Sequence, residues 1–524
     1  MFRALRNLIR LLVIARTLAR HGALEPLQGA MEGAGLAPAV LFVARFFSGR
    51  RPGAGAAPAG ERPGQRLAVA LTELGPAFIK LGQALSTRSD LLGDEAAADL
   101  SLLQDRLEPF PAAAARATIE AELGRPLSEL FAGFTDRPVS AASIAQVHYA
   151  VTPLEEGGGG GVEVAVKVLR PGIEQAFARD LDLLSWVAET IERTQPGLRR
   201  FKPVELVRRF AATVRVEMDL RLEAAAASEL AANFSGDPSY RVPVIDWRRT
   251  ARRAMTQQRL GGIRMDDRTA LLDAGLDIDA VLAKAAAIFF KQVFRDGYFH
   301  GDQHPGNMFV DADGNIGAVD FGIMGRLDRK TRYYLADMLT ALLDRDYRRV
   351  AEVHFVAGYV PPTQSLDDFA QACRSIGEPI FGRPLHEISF ARLLGQLFHL
   401  TEAFEMEVQP QLLLLQKNML MAEGVSRGLN PDLNIWTLAR PLIEEWVREH
   451  RGPEARLREA AAEAARAIER LPILIAELEK AAATVAGGDL RLHPETLRAL
   501  AARGGGPTWP LWLAVAALAA ALLL

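Results

Sequence analysis

One cysteine, Cys373, stands alone among 524 residues, so no disulfide can form within the chain and no cysteine-based metal site exists. That suits a reducing compartment. A charge of one sign is also missing. The 61 basic and 64 acidic side chains leave a net −3, and nothing global argues for nucleic acid as a partner. The first residues do not read as a secretory leader, because the apolar run Leu11–Ala15 is very short and Arg16 ends it, although an organelle transit peptide has a similar composition. Gly157–Gly161 is not a phosphate loop either, since no Gly-Lys-Ser/Thr follows. It lies between two β patterns, Gln146–Val151 and Val162–Leu169, and predicts a flexible hairpin tip. With no Gly-x-Gly-x-x-Gly flavin fingerprint and no two-histidine, one-carboxylate set, hydroxylase chemistry has no support.

What is present is concentrated between Tyr298 and Gly325. Asp302 lies in a turn, Asn307 follows five residues later and Asp320 thirteen after that. Met308–Val310 and Ile316–Val319 predict two short strands joined by the turn Asp311–Asn315. Such a hairpin brings Asn307 and Asp320 to the same end, where an amide oxygen and a carboxylate can share a magnesium ion. Asp302 is then free to orient an attacking hydroxyl or water, and phosphoryl transfer is mostly positioning and electrostatics. Two plainer readings exist: a tight Asp/Gly/Pro turn, and a zinc site on His300, Asp302 and His304. The two-part spacing and the lack of a further strong ligand favour magnesium. The spacing resembles the protein-kinase catalytic loop followed by Asp-Phe-Gly. The form His300-Gly-Asp302-Gln-His304-Pro-Gly-Asn307 is closer to kinase-like small-molecule phosphotransferases and to the UbiB family of atypical kinases.

Upstream, Val162–Leu169 alternates, and Lys167 matches the strand lysine of Val-Ala-Ile-Lys, whose ammonium binds phosphate oxygens. Ser140-Ala141-Ala142-Ser143 stands where kinases carry a Gly-rich loop, and resembles the Ala-rich loop of the UbiB family, which commonly has Ala where Ser140 stands. Small residues permit close backbone approach, though alanine forbids the positive φ open to glycine. Pro76 suits a helix start, after which Lys80, Gln83 and Thr87 fall on one face. By physics alone that face is merely solvated. Lys80-x-Gly82-Gln83 ahead of a kinase-like region resembles the UbiB signature, and the resemblance implies a helix that packs over the cleft and gates it. It further implies that Glu217 and Asp219, on a helix running from Val204, are the Glu-x-Asp pair contacting that helix and the nucleotide-site metal. Glu223 would then be the glutamate paired with Lys167. On a regular helix Glu217 and Asp219 point different ways, so the bland reading of a charged face stays open.

The resulting expectation is an α+β, two-lobed protein-kinase-like fold with an N-terminal helical extension and a C-terminal hydrophobic membrane segment. Residues 1–47 form a basic N-terminal region, in which Arg3, Arg6, Arg10, Arg16 and Arg20 oppose Leu5, Leu8, Leu12 and Leu18 on a helical projection. This helix either lies on an anionic membrane or packs on the domain as an ordinary surface helix. Residues 48–66 read as a linker, 67–130 as the extension, 131–260 as the N-lobe and 261–450 as the C-lobe. Strands are expected over Val242–Ile245 and Arg253–Thr256, with the hinge from Met255 to Gly262. A helix is expected over Ala112–Leu123, and helices without further chemistry from Leu327 to about Glu449. Residues 451–503 predict an amphipathic helix, and 507–524 a membrane segment a little short for spanning, which could cross a thinned bilayer, dip into one leaflet or pair with another chain; a homodimer is a possible partner state. The resemblance implies ATP or ADP with Mg2+ as cofactors, and ubiquinone synthesis at a bacterial inner membrane or its mitochondrial counterpart. The partners it implies are membrane lipid, phenolic or prenyl-lipid quinone precursors and other quinone-biosynthesis proteins.

Overall fold

The computed structural model describes residues 2–23, 62–86, 94–101, 103, 107–154, 161–194, 199, 202–381, 400–401, 403–406, 409–433 and 435–451. The expected amphipathic stretch after 451 and the apolar segment 507–524 lie outside these. Among the described residues no helix is long and apolar enough to cross a membrane. The chain divides into two units between Trp446 and Val447, and both lobes lie in the first.

Helices come first: α1 (Phe2–Arg20), α2 (Pro63–Leu74), α3 (Pro76–Leu85) and α4 (Asp94–Ser101). Pro63 and Pro76 sit at first helical positions, where a missing N–H costs nothing. The expected linker 48–66 therefore ends earlier, since its last four residues are already helix. α1 packs on the domain, and four of its arginines make ion pairs there while only Arg10 is largely buried. Arg3 and Arg6 reach Asp182, Arg10 reaches Asp180 at 2.9 Å, and Arg20 and His21 meet Glu73. Ile14 and Leu18 join the core, while Leu5, Leu8, Ile9, Leu11 and Val13 face solvent.

The N-lobe follows. α5 (Ala112–Leu123) and α6 (Leu127–Leu130) cover a five-stranded antiparallel sheet made of β1 (Gly133–Phe134), β2 (Ser140–Ala141), β3 (Ala145–Val151), β4 (Glu163–Leu169) and β6 (Ala254–Gln258), in the order β1-β3-β4-β6 with β2 beside β3. The period-2 alternation of β4 sorts its side chains. Val164, Val166 and Val168 pack under Ala115, Ile119, Leu127 and Leu130, while Leu169 joins the cluster on the other face. Helix α5 thus belongs to the N-lobe core, although the sequence placed it in the extension. α7 (Ile173–Thr194), α8 (Pro203–Glu217) and α9 (Leu220–Asn233) lie between β4 and β5 (Tyr240–Arg241). The expected strand Val242–Ile245 is reduced to one bridge, Ile245 to Gln257, and the hinge starts only after Gln258.

The C-lobe begins with β7 (Ile263–Arg264), α10 (Arg268–Asp273) and α11 (Ile278–Phe290), and a single π turn over Lys291–Asp296. Next come β8 (Tyr298–His300), β9 (Met308–Val310), β10 (Ile316–Ala318) and β11 (Met324–Arg326). Strand β10 pairs with β9 antiparallel and with β5 parallel, and β8 pairs with β11. Helices α12 (Arg329–Leu343), α13 (Tyr347–Val356), α14 (Leu366–Phe381) and α15 (Pro410–Leu429) complete it, and α16 (Ile435–Arg451) carries the chain across the division after Trp446. Aspartates start four of the C-lobe helices and α9: Asp219, Asp267, Asp277, Asp328 and Asp346 each accept a first-turn N–H. Cys373 is buried, and burial pushes its thiol up to about 12.

Candidate active site

Lys167 leaves β4 on the face opposite the valines. Its Nζ lies 2.7 and 3.0 Å from the two Glu223 oxygens and 3.0 Å from Asp320 Oδ1. One ammonium therefore joins the N-lobe sheet, α9 and the segment after β10. Glu223 gets there because the helix expected from Val204 is not continuous. It ends at Glu217, Met218 leaves helical geometry, and Asp219 caps a new helix. On an unbroken helix Glu217 and Glu223 would point roughly 120° apart; the break lets each face a lysine of its own.

Charge distribution follows from this geometry. Burial alone would lower the Lys167 ammonium, but Asp320 and Glu223 override it and raise it. Lys167 in turn holds Asp320 down at about 2, with burial opposing and Lys80 assisting. Burial pushes Glu223 up to about 7 against the pull of Lys167. Asp320 takes a left-handed backbone at φ 66°, a conformation aspartate tolerates better than most residues.

The loop that carries Asp302 is built by pairing on both sides. His300 pairs with Met324, and Gly301 N–H donates to Ile323 O at 2.8 Å. The His300 side chain is fully buried. Its Nδ1 accepts from the Asp302 N–H at 3.1 Å and its Nε2 donates to Val319 O at 3.2 Å. Burial keeps the ring neutral. With both ring nitrogens engaged to backbone, His300 cannot ligate zinc, and that reading falls. His304 Nδ1 accepts from Gly306 N–H and shapes the turn toward Asn307. The hairpin β9–β10 forms in the register Ala318 to Met308, and Val319 N–H donates to Asn307 O at 2.9 Å. Asn307 and Asp320 thus stand at the same end, as the spacing implies. Asn307 Nδ2 donates to Asp302 O at 3.2 Å, which ties the end of the hairpin to the loop.

Above this lies α3. Lys80 Nζ is 3.0 Å from Glu217 Oε2, both largely buried, and close enough to Asp320 to act on its charge. Gln83 follows on the same helix, partly buried; Thr87 lies outside the described residues. Gly82 has a packing reason: a Cβ there would lie 2.7 Å from Leu71 Cδ1 and 3.0 Å from Leu103 Cδ1. The Asp219 carboxylate caps α9 and binds the Arg221 guanidinium at 2.6 and 2.9 Å, while Glu217 of the pair meets Lys80.

The Ala-rich loop is a closed turn. Ala142 N–H donates to Ala145 O at 2.7 Å, Ala141 pairs with Gln146, and Arg170 donates to Ala142 O. The Ser143 hydroxyl is fully buried, so it cannot meet a nucleotide as a side chain.

Two residues went unseen in the sequence. Lys417 Nζ, on α15, lies 2.7 Å from Asp302 Oδ1. Its neighbour Asn418, fully buried, donates to His300 O at 2.6 Å and accepts from Gln303 N–H at 3.1 Å. The helical region after Leu327 therefore carries more than core packing. No local signal marks either residue, because the run Leu412–Leu415 before them reads only as core.

Comparison with known proteins agrees with this architecture. Residues 102–354 match the ABC1 atypical kinase-like domain and 373–434 the UbiB helical domain. A protein of Marinobacter nauticus named "Probable protein kinase UbiB" is 48% identical over 394 residues, covering 74% of this chain and 71% of its own. One of the same name from Xanthomonas euvesicatoria pv. vesicatoria is 46% identical over 414 residues, 78% and 74% of the two chains. Among solved structures, the Rv3197–erythromycin complex from Mycobacterium tuberculosis shares 25% identity at a TM-score of 0.50, over 72% of this chain and 95% of that one. With the Lys167–Glu223–Asp320 junction, the Asp302 loop and matches across both the kinase-like and helical regions, the chain belongs to the UbiB family of atypical kinase-like proteins.

Proposed function

We propose that the protein is a Mg-ATP-dependent ATPase or phosphotransferase, acting at a membrane in support of ubiquinone synthesis. The observation that carries the chemistry is the convergence on Lys167 of Glu223 at 2.7 Å and Asp320 at 3.0 Å. Lys167 would take α- and β-phosphate oxygens, with the backbone of Ala141 and Ala142 closing over them; Ser143, its hydroxyl buried, would contribute only backbone. Asn307 and Asp320 suit a magnesium ion in donor chemistry: a neutral amide oxygen and a carboxylate kept ionised are both hard ligands. An ion held there would offset the charge on the phosphate oxygens. Asp302 would orient the nucleophile. For hydrolysis, a water oxygen bonds to the γ-phosphorus as the bond to the β,γ-bridging oxygen breaks. The electron pair leaves with ADP, and Asp302 accepts the proton of the water.

Lys80, Gln83 and Glu217 would act as the gate, with Asp219 joining only if Arg221 releases it. The helix over the cleft argues against an open small-molecule phosphotransferase. It is also what favours a second reading, a nucleotide-sensing scaffold for quinone-biosynthesis enzymes with little turnover. Membrane association is supported by the outward apolar stripe of α1. The deciding experiment is phosphate release from Mg-ATP by the full chain beside Asp302→Asn and Asp320→Asn. Turnover lost in both variants supports the enzyme; nucleotide binding without turnover in the parent protein supports the scaffold.

A further inference from the structure

The loop Gly301-Asp302-Gln303-His304-Pro305-Gly306-Asn307 has no lysine or arginine of its own, yet its aspartate is paired with a cation. Lys417 provides it from 115 residues away, on a helix beyond the kinase-like match and within the helical-domain match. As a contribution to stability the pair counts for little. Its side chains are 42% and 31% exposed, and solvent-screened pairs are worth about 0–1 kcal/mol.

The placement is nonetheless rigid. Asn418, the next residue, is fully buried and fastens α15 to the loop on both sides of Asp302 through His300 O and Gln303 N–H. A deep anchor beside a weak ion pair sets the position of a charge and adds little to the fold. The remaining hold on Asp302 is through its backbone, its N–H on His300 and its carbonyl on Asn307. The last torsion of a carboxylate is broad. An ammonium on Oδ1 narrows it and fixes where Oδ2 stands to take a proton.

We propose that Lys417 is the positioning residue for Asp302, so that the helical domain completes the active site instead of merely extending the chain. The proposal rests on the reading of Asp302 as the base for ATP hydrolysis. It is tested by steady-state phosphate release from Mg-ATP with the full chain in five forms: parent, Lys417→Met, Lys417→Arg, Asp302→Asn, and Asp302→Asn with Lys417→Met. Lys417→Met should lower kcat about tenfold or more, within the range general-base catalysis contributes. KM for ATP and the thermal shift produced by Mg-ADP should stay unchanged, and Lys417→Arg should recover part of the loss. In the Asp302→Asn background the second substitution should cost nothing further, a result that simple loss of folding would not give. Parent-like kcat in Lys417→Met, or an equal extra loss in the Asp302→Asn background, overturns the role of Lys417 alone. A parent protein no faster than Asp302→Asn overturns the hydrolytic reading, and the positioning role with it.

Discussion

Lys167 shows how much one side chain can be asked to hold. It is 12% exposed and satisfies two carboxylates, one of them 8% exposed. Breaking a buried pair by removing one partner strands the other, at about 3 kcal/mol or more. Lys167→Met should therefore lower the denaturant midpoint by a stability loss of that order and abolish ATP turnover; an unchanged midpoint would contradict the pairing. Asp320 allows a test by pH. Lys167 depresses its pKa from the ordinary 3.8 to about 2. A depressed acid stabilises the fold above its unfolded value, and that contribution fades as pH falls toward the folded one. Between about pH 5 and about pH 2.5 the wild type should lose more thermal stability than Asp320→Asn. Equal losses would mean that Lys167 and Asp320 are not coupled. These residues were legible in the sequence to different degrees. Asn307 and Asp320 could be placed together because a short hairpin and its turn residues are local. Lys167 with Glu223 came only through family resemblance, since 56 residues and a helix break separate them. Lys417 could not be read at all, because nothing near it announces the loop it reaches.

At the level of elements, the informative departures are a break and an inversion. The interruption at Met218 and Asp219 turns what periodicity reads as one charged helix into two, each offering a glutamate to a different lysine. Periodicity cannot see this, because Asp219 is as good an N-cap as it is a surface residue. The Lys80–Glu217 pair, 13% and 11% exposed, is then an ionic tie of α3 to α8. Glu217→Gln should raise amide hydrogen exchange across 76–85 while leaving β3 and β4 protected, and protection like that of the wild type would remove the tie from the gate. The inversion concerns α1. Its arginines were as legible as its leucines, but projection alone cannot tell which face meets protein. Asp180, Asp182 and Glu73 decide it, and they lie on α7 and α2, far off in sequence. Replacing Leu5, Ile9 and Val13 with serine should weaken sedimentation with anionic vesicles, with the arginines left in place. Undiminished binding would return the membrane contact to some other part of the chain.

For the molecule as a whole, the lobes and their order followed from motif order, whereas the contribution of the C-terminal helices to the site did not. The fold places an N-lobe lysine, a hairpin carrying Asn307 and Asp320, a loop carrying Asp302, and a helix over the top, all within one described unit. α15 reaches back into that unit from beyond residue 400 and is fastened to the loop by Asn418. Truncation before Pro410 should therefore abolish turnover even though the whole kinase-like match is retained; an active truncation would show that the helical region is dispensable to chemistry. The central claim is that Asp302 activates the nucleophile for transfer of the γ-phosphoryl group of Mg-ATP. The most direct measurement is single-turnover phosphate release by the full chain with nucleotide bound, for wild type and Asp302→Asn. The account predicts release by the wild type and a fall of about a hundredfold or more in the variant, with nucleotide affinity preserved. Equal rates in the two proteins would contradict it.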